Sequence, residues 1–394
     1  MGLIDALISD VDLDAYNISS EFCFNTNVFE GIFERNDKDS SALAIPGLVV
    51  QDNKVTAPEA KKPLRIPFCN LRDIRHVAAG FGFSLFASRN KLYGAGLNNR
   101  FQVAGHLLED AKRTEYYISG KRIGGLPEGG KIIAVAAGRA HSLVIVDDCV
   151  FAFGCNVHGQ CGVDPEKFAE VVAIGDAHLS PISLPTTSKP VTVHCSLDTS
   201  FVLTEDGKVY AFGLNEDGQC SNGKYGIQHE PAEIQGDCAS ERVVSISGST
   251  DTILAISDKG DAFIWGQNEY GQAGERHEVQ LTSSIRLPFT LPPLSSASSS
   301  ASACVAASRD GRVFSWGVGQ VGFGPDSTRL TRPAQLPEPI FDGKKVMRVF
   351  GGNVAFSALN EDGGVFMWGN NRYGLLGMGD DKDKLFPYPL FFSQ

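Results

Sequence analysis

The sequence predicts an all-β fold, a seven-bladed β-propeller, from three observations. An aromatic segment that ends in glycine recurs along the chain, a turn containing Asn and Gly follows most copies, and a tight-turn sequence precedes most of them. The chain also contains 43 glycines and 25 phenylalanines, which agrees with short strands joined by tight turns. Regular repetition of such a unit indicates a ring of small sheets.

The aromatic segment sets the period of the repeat. Its terminal glycines are Gly96, Gly154, Gly213, Gly266, Gly317 and Gly369, and they are separated by 58, 59, 53, 51 and 52 residues. Clear copies occupy 150–154 (VFAFG) and 313–317 (VFSWG), and the weakest copy occupies 92–96 (LYGAG). At a period of about 54 residues, roughly seven units account for the whole chain.

Each aromatic segment is predicted to be the third strand of an antiparallel unit. A small-residue strand such as 135–138 (VAAG) comes first, and an apolar strand such as 142–146 (SLVIV) follows it. Tight turns such as 205–207 (EDG) join the apolar strand to the aromatic one, and turns such as 213–219 (GLNEDGQ) end the unit. One unit cannot bury both faces of its sheet, so neighbouring units must cover them.

These units predict one domain. We expect residues 41–394 to form a single propeller and residues 1–40 to be an extension that is partly disordered or contains a degenerate strand. Residues 41–47 resemble the end of a degraded first repeat, so we predict that residues 41–62 and the C-terminal segment together complete one blade. A solenoid is the disfavoured alternative, because it needs polar caps and usually a shorter period.

For the serine-rich segment 295–302 (SSASSSAS), amino-acid composition and position in the repeat give different predictions. Composition alone predicts a flexible linker between two domains. Its distance from Gly317 instead places it on a small-residue strand and the following turn. We therefore predict an ordered and substantially buried hairpin.

Composition argues against several classes of function. The net charge is −11 and no dense run of Lys and Arg occurs, which disfavours a broad nucleic-acid surface. Nine cysteines without a CxxC pair and eight histidines without an HxxxH pair predict neither a disulfide framework nor a metal site, and we predict no cofactor. No apolar run is long enough to cross a bilayer. The first sixteen residues contain four Asp and no Lys or Arg, so no presequence is visible.

Residues 317–322 (GVGQVG) match the dinucleotide-binding fingerprint. We interpret them as a repeat turn, because the following residues 323–325 (FGP) cannot open a helix. No phosphate-binding GxxxxGK[ST] loop and no GxSxG nucleophile motif occur. With no acid–base pair evident either, an enzyme that makes or breaks covalent bonds is disfavoured.

The pattern V-A-x-G-x-x-H-S-L, followed by D-G-x-V-[FY]-x-[FW]-G-x-N-x-x-G-Q, resembles the regulator of chromosome condensation repeat over residues 63–379. Stretches such as 138–143 (GRAHSL) and 316–325 (WGVGQVGFGP) are most similar to the family's mitochondrial member. That resemblance implies a monomeric propeller that promotes guanine-nucleotide exchange on a mitochondrial GTPase of membrane fusion. It equally implies an assembly scaffold for the rRNA of the large mitochondrial ribosomal subunit.

A third alternative is a general protein-interaction propeller without exchange activity. In each case the expected partner is a macromolecule, not a small-molecule substrate. The resemblance implies a mitochondrial location, and the cytoplasm is the alternative because no presequence is visible. Kelch repeats have a similar period, but they depend on a Gly-Gly pair followed at a distance by Tyr and Trp, and among the small-residue strands of these repeats only 351–352 has such a pair.

Candidate site residues follow from the same resemblance. It implies that acidic and His side chains in the first hairpin turns face the GTPase, which marks His141, Asp198 and Asp251, with Arg139 beside them. The alternative is that these residues only bond their own backbone. The candidate surface for rRNA is a basic cluster formed by Arg100, Lys112, Arg113, Lys121 and Arg122. The insertions 107–130 and 164–190 are either a wedge for the partner or plain solvated loops.

Overall fold

The computed structural model describes residues 50–51, 54–55, 69, 72–103, 116–167, 171–172, 181–274 and 276–391. The first two strands, β1 (Val50–Gln51) and β2 (Lys54–Val55), pair with each other. The other described strands form six four-stranded antiparallel sheets, and in each sheet the strand order follows the chain. Short 3-10 helices lie at Asp237–Ser240, Glu338–Phe341 and Arg372–Gly374.

The six sheets are numbered along the chain. Sheet 1 contains β3 (His76–Ala79), β4 (Phe83–Ala87), β5 (Leu92–Leu97) and β6 (Tyr116–Ile123). Sheet 2 contains β7 (Ile132–Ala137), β8 (His141–Val146), β9 (Cys149–Cys155) and β10 (Val171–Val172). Sheet 3 contains β11 (Pro190–Ser196), β12 (Thr199–Thr204), β13 (Val209–Asn215) and β14 (Gly226–Glu233).

The remaining three sheets have the same plan. Sheet 4 contains β15 (Val243–Ser247), β16 (Thr252–Ser257), β17 (Ala262–Gln267) and β18 (Gln280–Arg286). Sheet 5 contains β19 (Leu294–Ser299), β20 (Ala303–Ser308), β21 (Val313–Val318) and β22 (Arg329–Gln335). Sheet 6 contains β23 (Val346–Gly351), β24 (Ala355–Asn360), β25 (Val365–Gly369) and β26 (Lys384–Pro389).

The core lies between the sheets. Every residue of the second strands β8, β16 and β20 is buried, because neighbouring sheets cover both faces of these strands. One apolar cluster joins Phe201 of sheet 3, Trp265 of sheet 4 and Trp316 of sheet 5. Each repeat therefore depends on its neighbours for burial, as a propeller requires.

The first strands of consecutive sheets contact one another, which makes them the innermost strands. Their turns are also joined: Arg139 N donates to Leu197 O (2.8 Å) and Ala301 N donates to Asn353 O (3.0 Å). Ser249 Oγ donates to the carbonyl of Gly352 (3.1 Å), from sheet 4 to sheet 6 past sheet 5. The six sheets are therefore arranged around a common centre.

One edge of this arrangement carries the first hairpin turns, at 80–82, 138–140, 197–198, 248–251, 300–302 and 352–354, and the loops that follow the third strands. We call this edge the hairpin rim. Because successive strands are antiparallel, the turns between second and third strands, such as 205–207, lie at the opposite edge. The first hairpin turns identified in the sequence are therefore collected on one surface.

The all-β prediction is confirmed, and six sheets are described. Lys384–Pro389 pairs with β25 as the fourth strand of sheet 6, because the third strand needs an outer partner. The expectation that this C-terminal segment pairs with residues 41–62 is therefore wrong. Within 41–62 only β1 and β2 are described, so a seventh blade and the 1–40 and 41–394 boundaries stay predictions.

The prediction for the serine-rich segment is confirmed. It forms most of β19 and the turn before β20, and Ser298, Ser299 and Ser300 are buried. Ser299 Oγ donates to the carbonyl of Thr252 in sheet 4 (2.6 Å). Ser296 Oγ donates to the carbonyl of Val349 in sheet 6 (3.1 Å). Small hydroxyl side chains thus bond the innermost strand to both of its neighbours.

The fingerprint GVGQVG at 317–322 is a repeat turn, as predicted. It begins on the last residues of β21, and the residues that follow it form turns and then strand β22 rather than a helix.

Gly266 lies where the third strand of sheet 4 closely approaches the first hairpin turn of the same sheet. Its φ is +86°, and a Cβ there would overlap the carbonyl oxygen of Asp251. Gly266→Ala is therefore expected to lower the free energy of unfolding by about 2 kcal/mol, measured by urea titration. Gly226→Ala is the control, because φ is +103° there but a Cβ meets no atom within 4 Å. Equal costs at the two sites would contradict the close approach.

Candidate functional site

A buried asparagine organises the loop after the third strand in five of the six sheets. Its Oδ1 accepts the backbone N–H of the fifth residue onward at 2.7–3.0 Å, in the pairs Asn98–Val103, Asn156–Cys161, Asn215–Cys220, Asn268–Ala273 and Asn371–Leu376. In sheets 2, 3, 4 and 6 the side-chain amide also donates to a later carbonyl of the loop. The asparagine therefore replaces missing backbone partners and fixes the loop in one shape.

A buried glutamine follows in four of these loops, at positions 102, 160, 219 and 272. Its Oε1 accepts the backbone N–H two residues earlier, at 2.8–3.0 Å. Its backbone carbonyl accepts a hydrogen bond from the next sheet: from Ser142 Oγ, Ser200 Oγ, Trp265 Nε1 and Trp316 Nε1, at 2.6–2.7 Å. Each loop is thereby attached to the sheet that follows it.

In three of the four loops the glutamine side-chain amide reaches the first hairpin turn of the next sheet. Gln160 Nε2 donates to Asp198 Oδ1 (3.2 Å), and Gln219 Nε2 donates to Asp251 Oδ1 (2.8 Å). Gln272 instead donates to Thr252 Oγ1 (3.2 Å) and to the carbonyl of Ala301 (3.3 Å). The same loop motif therefore holds two carboxylates on the hairpin rim.

Asp198 lies beneath the surface. Its side chain is 5% exposed, and its Oδ2 forms an ion pair with an Arg139 guanidinium nitrogen at 2.8 Å. The expectation that Asp198 is an exposed turn residue is wrong, because the loop of sheet 2 and Arg139 cover it. Arg139 is the exposed member of the pair, at 50% of its side chain.

Asp251 is half-buried on the neighbouring turn. Burial raises the pKa of its carboxyl above the ordinary value, and the nearby carboxylates of Asp217 and Asp198 raise it further. The hydrogen bond from Gln219 opposes this rise. Asp217 lies in the loop of sheet 3 and accepts a hydrogen bond from Gln280. Arg139, Asp198 and Asp251 are thus brought together on adjacent sheets.

His141 is not on the surface. It is the first residue of β8 and is fully buried, with Nε2 at 2.9 Å from Ser200 Oγ. Ser200 donates its hydroxyl hydrogen to the carbonyl of Gln160, so His141 Nε2 carries the ring hydrogen. Burial lowers the pKa of His141 to about 4. The ring is therefore neutral, and the expectation that it faces a partner is wrong in this structure, because neighbouring sheets enclose it.

The predicted basic cluster is only partly described, since Lys112 and Arg113 lie outside the described residues. Lys121 and Arg122 are exposed on β6, the outer strand of sheet 1. Adjacent residues on a strand point to opposite faces, so these two do not share one surface. Arg100 lies in the loop after β5 and is half-buried. Within the insertions, the structure describes residues 116–130, 164–167, 171–172 and 181–190.

The described residues contain no group of three or more His, Cys, Asp or Glu side chains able to hold a metal ion. No helix among them is both long and apolar enough to cross a membrane. The eight cysteines within the described ranges are free thiols, and all except Cys149 are buried.

Sequence reasoning missed Gln160 and Gln219 as site residues. The available signal was the recurrence of Gly-Gln at 159–160, 218–219 and 271–272. A repeated glutamine indicates a structural role, but only the structure shows that two of its copies meet a carboxylate.

Six sheets around a common centre, with the same Asn and Gln contacts in successive loops, define a β-propeller of the chromosome-condensation-regulator type. The chain matches the model of the RCC1-like domain over residues 105–392 and belongs to that family.

Three known proteins cover most of the chain. The mouse RCC1-like G exchanging factor-like protein is 32% identical over an alignment of 373 residues that covers 89% of this chain and 80% of that protein. The crystal structure of human WBSCR16 aligns with a TM-score of 0.79 at 30% identity, over 89% of this chain and 91% of that one. Yeast Prp20p has the same fold, with a TM-score of 0.69 at 20% identity over 90% and 85%.

Proposed function

We propose that this chain is a guanine-nucleotide exchange factor, or a GTPase-binding propeller, that meets its partner through the hairpin rim. One observation carries the proposal: Arg139, Asp198 and Asp251 lie on the turns of adjacent sheets, and loops of the preceding sheets hold both carboxylates. Membership in the RCC1-like family supports a GTPase as the partner. Similarity to the family's mitochondrial member further suggests a mitochondrial GTPase of membrane fusion.

Such a protein accelerates nucleotide release without a covalent step. It does so by binding the nucleotide-free partner more tightly than the loaded one. The partner holds the nucleotide phosphates with a lysine and with Mg²⁺. A carboxylate on the rim competes for those cations, so Asp251, the more exposed of the two carboxylates, is assigned that role.

We also propose that the ring is closed by a seventh blade containing residues from 41–62, between sheet 6 and sheet 1, and that the protein acts as a monomer. Support comes from the period of the repeat, which leaves about one unit before sheet 1. Closure covers the faces of sheet 1 and sheet 6 that an arc of six sheets would leave without a neighbour.

The Asp251 carboxylate is the first target for a test. Asp251→Asn keeps its shape and hydrogen-bond acceptor but removes its charge, and should slow nucleotide release about tenfold, the equivalent of one charge contact. The assay follows fluorescent GDP leaving purified mitochondrial and small GTPases. Asp258→Asn, the same charge change on the opposite edge, is the control. Unchanged release with a folded Asp251→Asn protein would remove Asp251 from the site.

The two alternatives give different results in the same experiments. A general interaction propeller binds its partner equally in the loaded and nucleotide-free states. An rRNA-assembly scaffold needs a continuous surface of Lys and Arg side chains. Among the described residues, Lys121 and Arg122 point to opposite faces of sheet 1, which favours the exchange factor.

A further inference from the structure

We infer that Gln160 and Asp198 are positioning residues that hold the Arg139 guanidinium as the cation of the hairpin rim that contacts the partner, where it binds an oxyanion. This inference rests on the proposed function, and it changes the role of Asp198 from a contact to a support. The oxyanion is either a carboxylate of the partner or a phosphate of its bound nucleotide.

The three side chains form a continuous series. Gln160 is fully buried, and its Oε1 is fixed by the backbone N–H of His158 at 2.8 Å. Its Nε2 therefore points to Asp198 Oδ1, at 3.2 Å. The other carboxylate oxygen of Asp198 binds the guanidinium at 2.8 Å. Each group thus has one orientation, and the series ends at the surface.

Exposure identifies the group that a partner can reach. The Arg139 side chain is 50% exposed and that of Asp198 is 5% exposed. Both oxygens of Asp198 are already engaged, so they offer little to a partner. A guanidinium has five N–H donors in a rigid planar fork that fits a carboxylate or phosphate. Holding it with one carboxylate orients the fork before the partner arrives, which lowers the entropic cost of binding.

Comparison of the repeats shows that the fold itself does not require this ion pair. The Cβ positions of Gly154 and Gly213 meet the carbonyls of Ala140 and Asp198, so Arg139 in sheet 2 corresponds to Leu197 in sheet 3. Sheet 3 therefore supplies no arginine to Asp251, although Gln219 holds that carboxylate in the same way. The combination of a turn arginine with a held carboxylate occurs at the junction of sheets 2 and 3.

The test compares the same change in two copies of one motif. Gln160→Met removes the amide that orients Asp198, and Gln272→Met removes its counterpart, which meets no carboxylate. NMR of the Arg139 side-chain nitrogens measures the order of the guanidinium. We expect loss of order in Gln160→Met alone, with slower GDP release from the responding GTPase by roughly three- to tenfold. Arg139→Met should slow release at least as much.

A double variant separates positioning from general stability. If Gln160 acts through Arg139, adding Gln160→Met to Arg139→Met has no further effect on release. Additive effects, or equal behaviour of Gln160→Met and Gln272→Met, would overturn the inference. If the Gln160→Met protein fails to fold, Arg139→Lys is used instead. Lysine keeps the positive charge of Arg139 but lacks the planar fork of N–H donors, so this variant should still weaken binding of the partner.

The nucleotide state of the partner distinguishes the two oxyanions. An effect of Arg139→Met on binding to the nucleotide-free GTPase identifies a carboxylate, and an effect confined to the GDP-bound form identifies a phosphate. If Arg139→Met changes neither while Asp251→Asn slows release, the inference fails and the proposed function stands. If no GTPase responds to the unchanged protein, the proposed function fails, and with it the contact role of Arg139. Equal guanidinium order in wild type and Gln160→Met would then also overturn the positioning role.

Discussion

Acidification from pH 6.5 to pH 4 is expected to destabilise the folded protein by several kcal/mol, because two buried histidines are neutral in the fold. Burial lowers the pKa of both His141 and His194 to about 4. Their pKa in the unfolded chain is about 6.5. Below pH 6.5 the unfolded state therefore binds more protons than the folded state, and stability falls until about pH 4. Each histidine lowers the free energy of unfolding by about 3 kcal/mol between pH 6.5 and pH 4.

His141→Gln and His194→Gln test the origin of this effect. The measurement is the free energy of unfolding in urea at pH 7 and at pH 5. In each variant, the free energy of unfolding should fall by about 2 kcal/mol less between pH 7 and pH 5 than it does in the unchanged protein. His277→Gln is the control, because His277 is exposed. A pH dependence that survives in both variants would show that other groups cause it.

His76 acts in the same range and in the same sense, because burial also lowers its pKa below the ordinary value. Asp310 acts in a different range and Asp251 acts in the opposite sense. The hydrogen bond from Arg312 lowers the pKa of Asp310 far below its usual value, so that pair is lost only in stronger acid. The raised pKa of Asp251 works the other way, since the folded state takes up that proton more readily. The fall between pH 6.5 and pH 4 is therefore assigned to the histidines.

Trp265→Phe and Trp316→Phe are expected to destabilise the protein more than Trp368→Phe. All three indoles are fully buried, so each loses a similar volume. Trp265 Nε1 donates to Gln219 O (2.7 Å) and Trp316 Nε1 donates to Gln272 O (2.6 Å). Trp368 Nε1 has no hydrogen-bond partner among the described residues. Replacing Trp265 or Trp316 leaves the buried carbonyl of Gln219 or Gln272 without this hydrogen bond, which lowers the free energy of unfolding by an additional amount of about 1–3 kcal/mol in each variant.

The loop of sheet 5, whose Gly322 lies beside the Trp368 indole nitrogen, differs from the other third-strand loops. In the other five sheets a buried asparagine lies two residues after the terminal glycine of the third strand. In sheet 5 Gly319 occupies that position. Urea unfolding of the three variants at pH 7 gives the comparison. Equal losses for all three would show that the contacts to the glutamine carbonyls do not stabilise the junctions.

The repeat made most of the fold predictable from sequence. The spacing of the terminal glycines placed the third strands, and it correctly overrode the linker-like composition of residues 295–302. The C-terminal segment was misassigned, because the outer strands lack a distinctive pattern. Lys384–Pro389 contains two prolines, which a strand tolerates only at an edge, and the sequence alone does not tell which sheet that edge belongs to.

The candidate site was predictable by position but not by exposure. Asp198 and Asp251 occupy matched turns, and the sequence indicated both. Whether such a carboxylate is buried depends on the neighbouring sheet: Gln160 is 38 residues away from Asp198, and Arg139 is on another sheet. Burial of His141 has the same origin, since its Nε2 lies 2.9 Å from Ser200 Oγ of sheet 3. Contacts between sheets leave no local signal in the sequence.

Affinity for a GTPase in its two nucleotide states tests the central claim most directly. The protein would be immobilised and titrated with each GTPase of the mitochondrial and small-GTPase set, once stripped of nucleotide and once with excess GDP. The account predicts tight binding of one GTPase in the nucleotide-free state and its release when GDP is added. Binding that GDP leaves unchanged, or no binding to any of these GTPases in either state, would contradict an exchange factor acting through this rim.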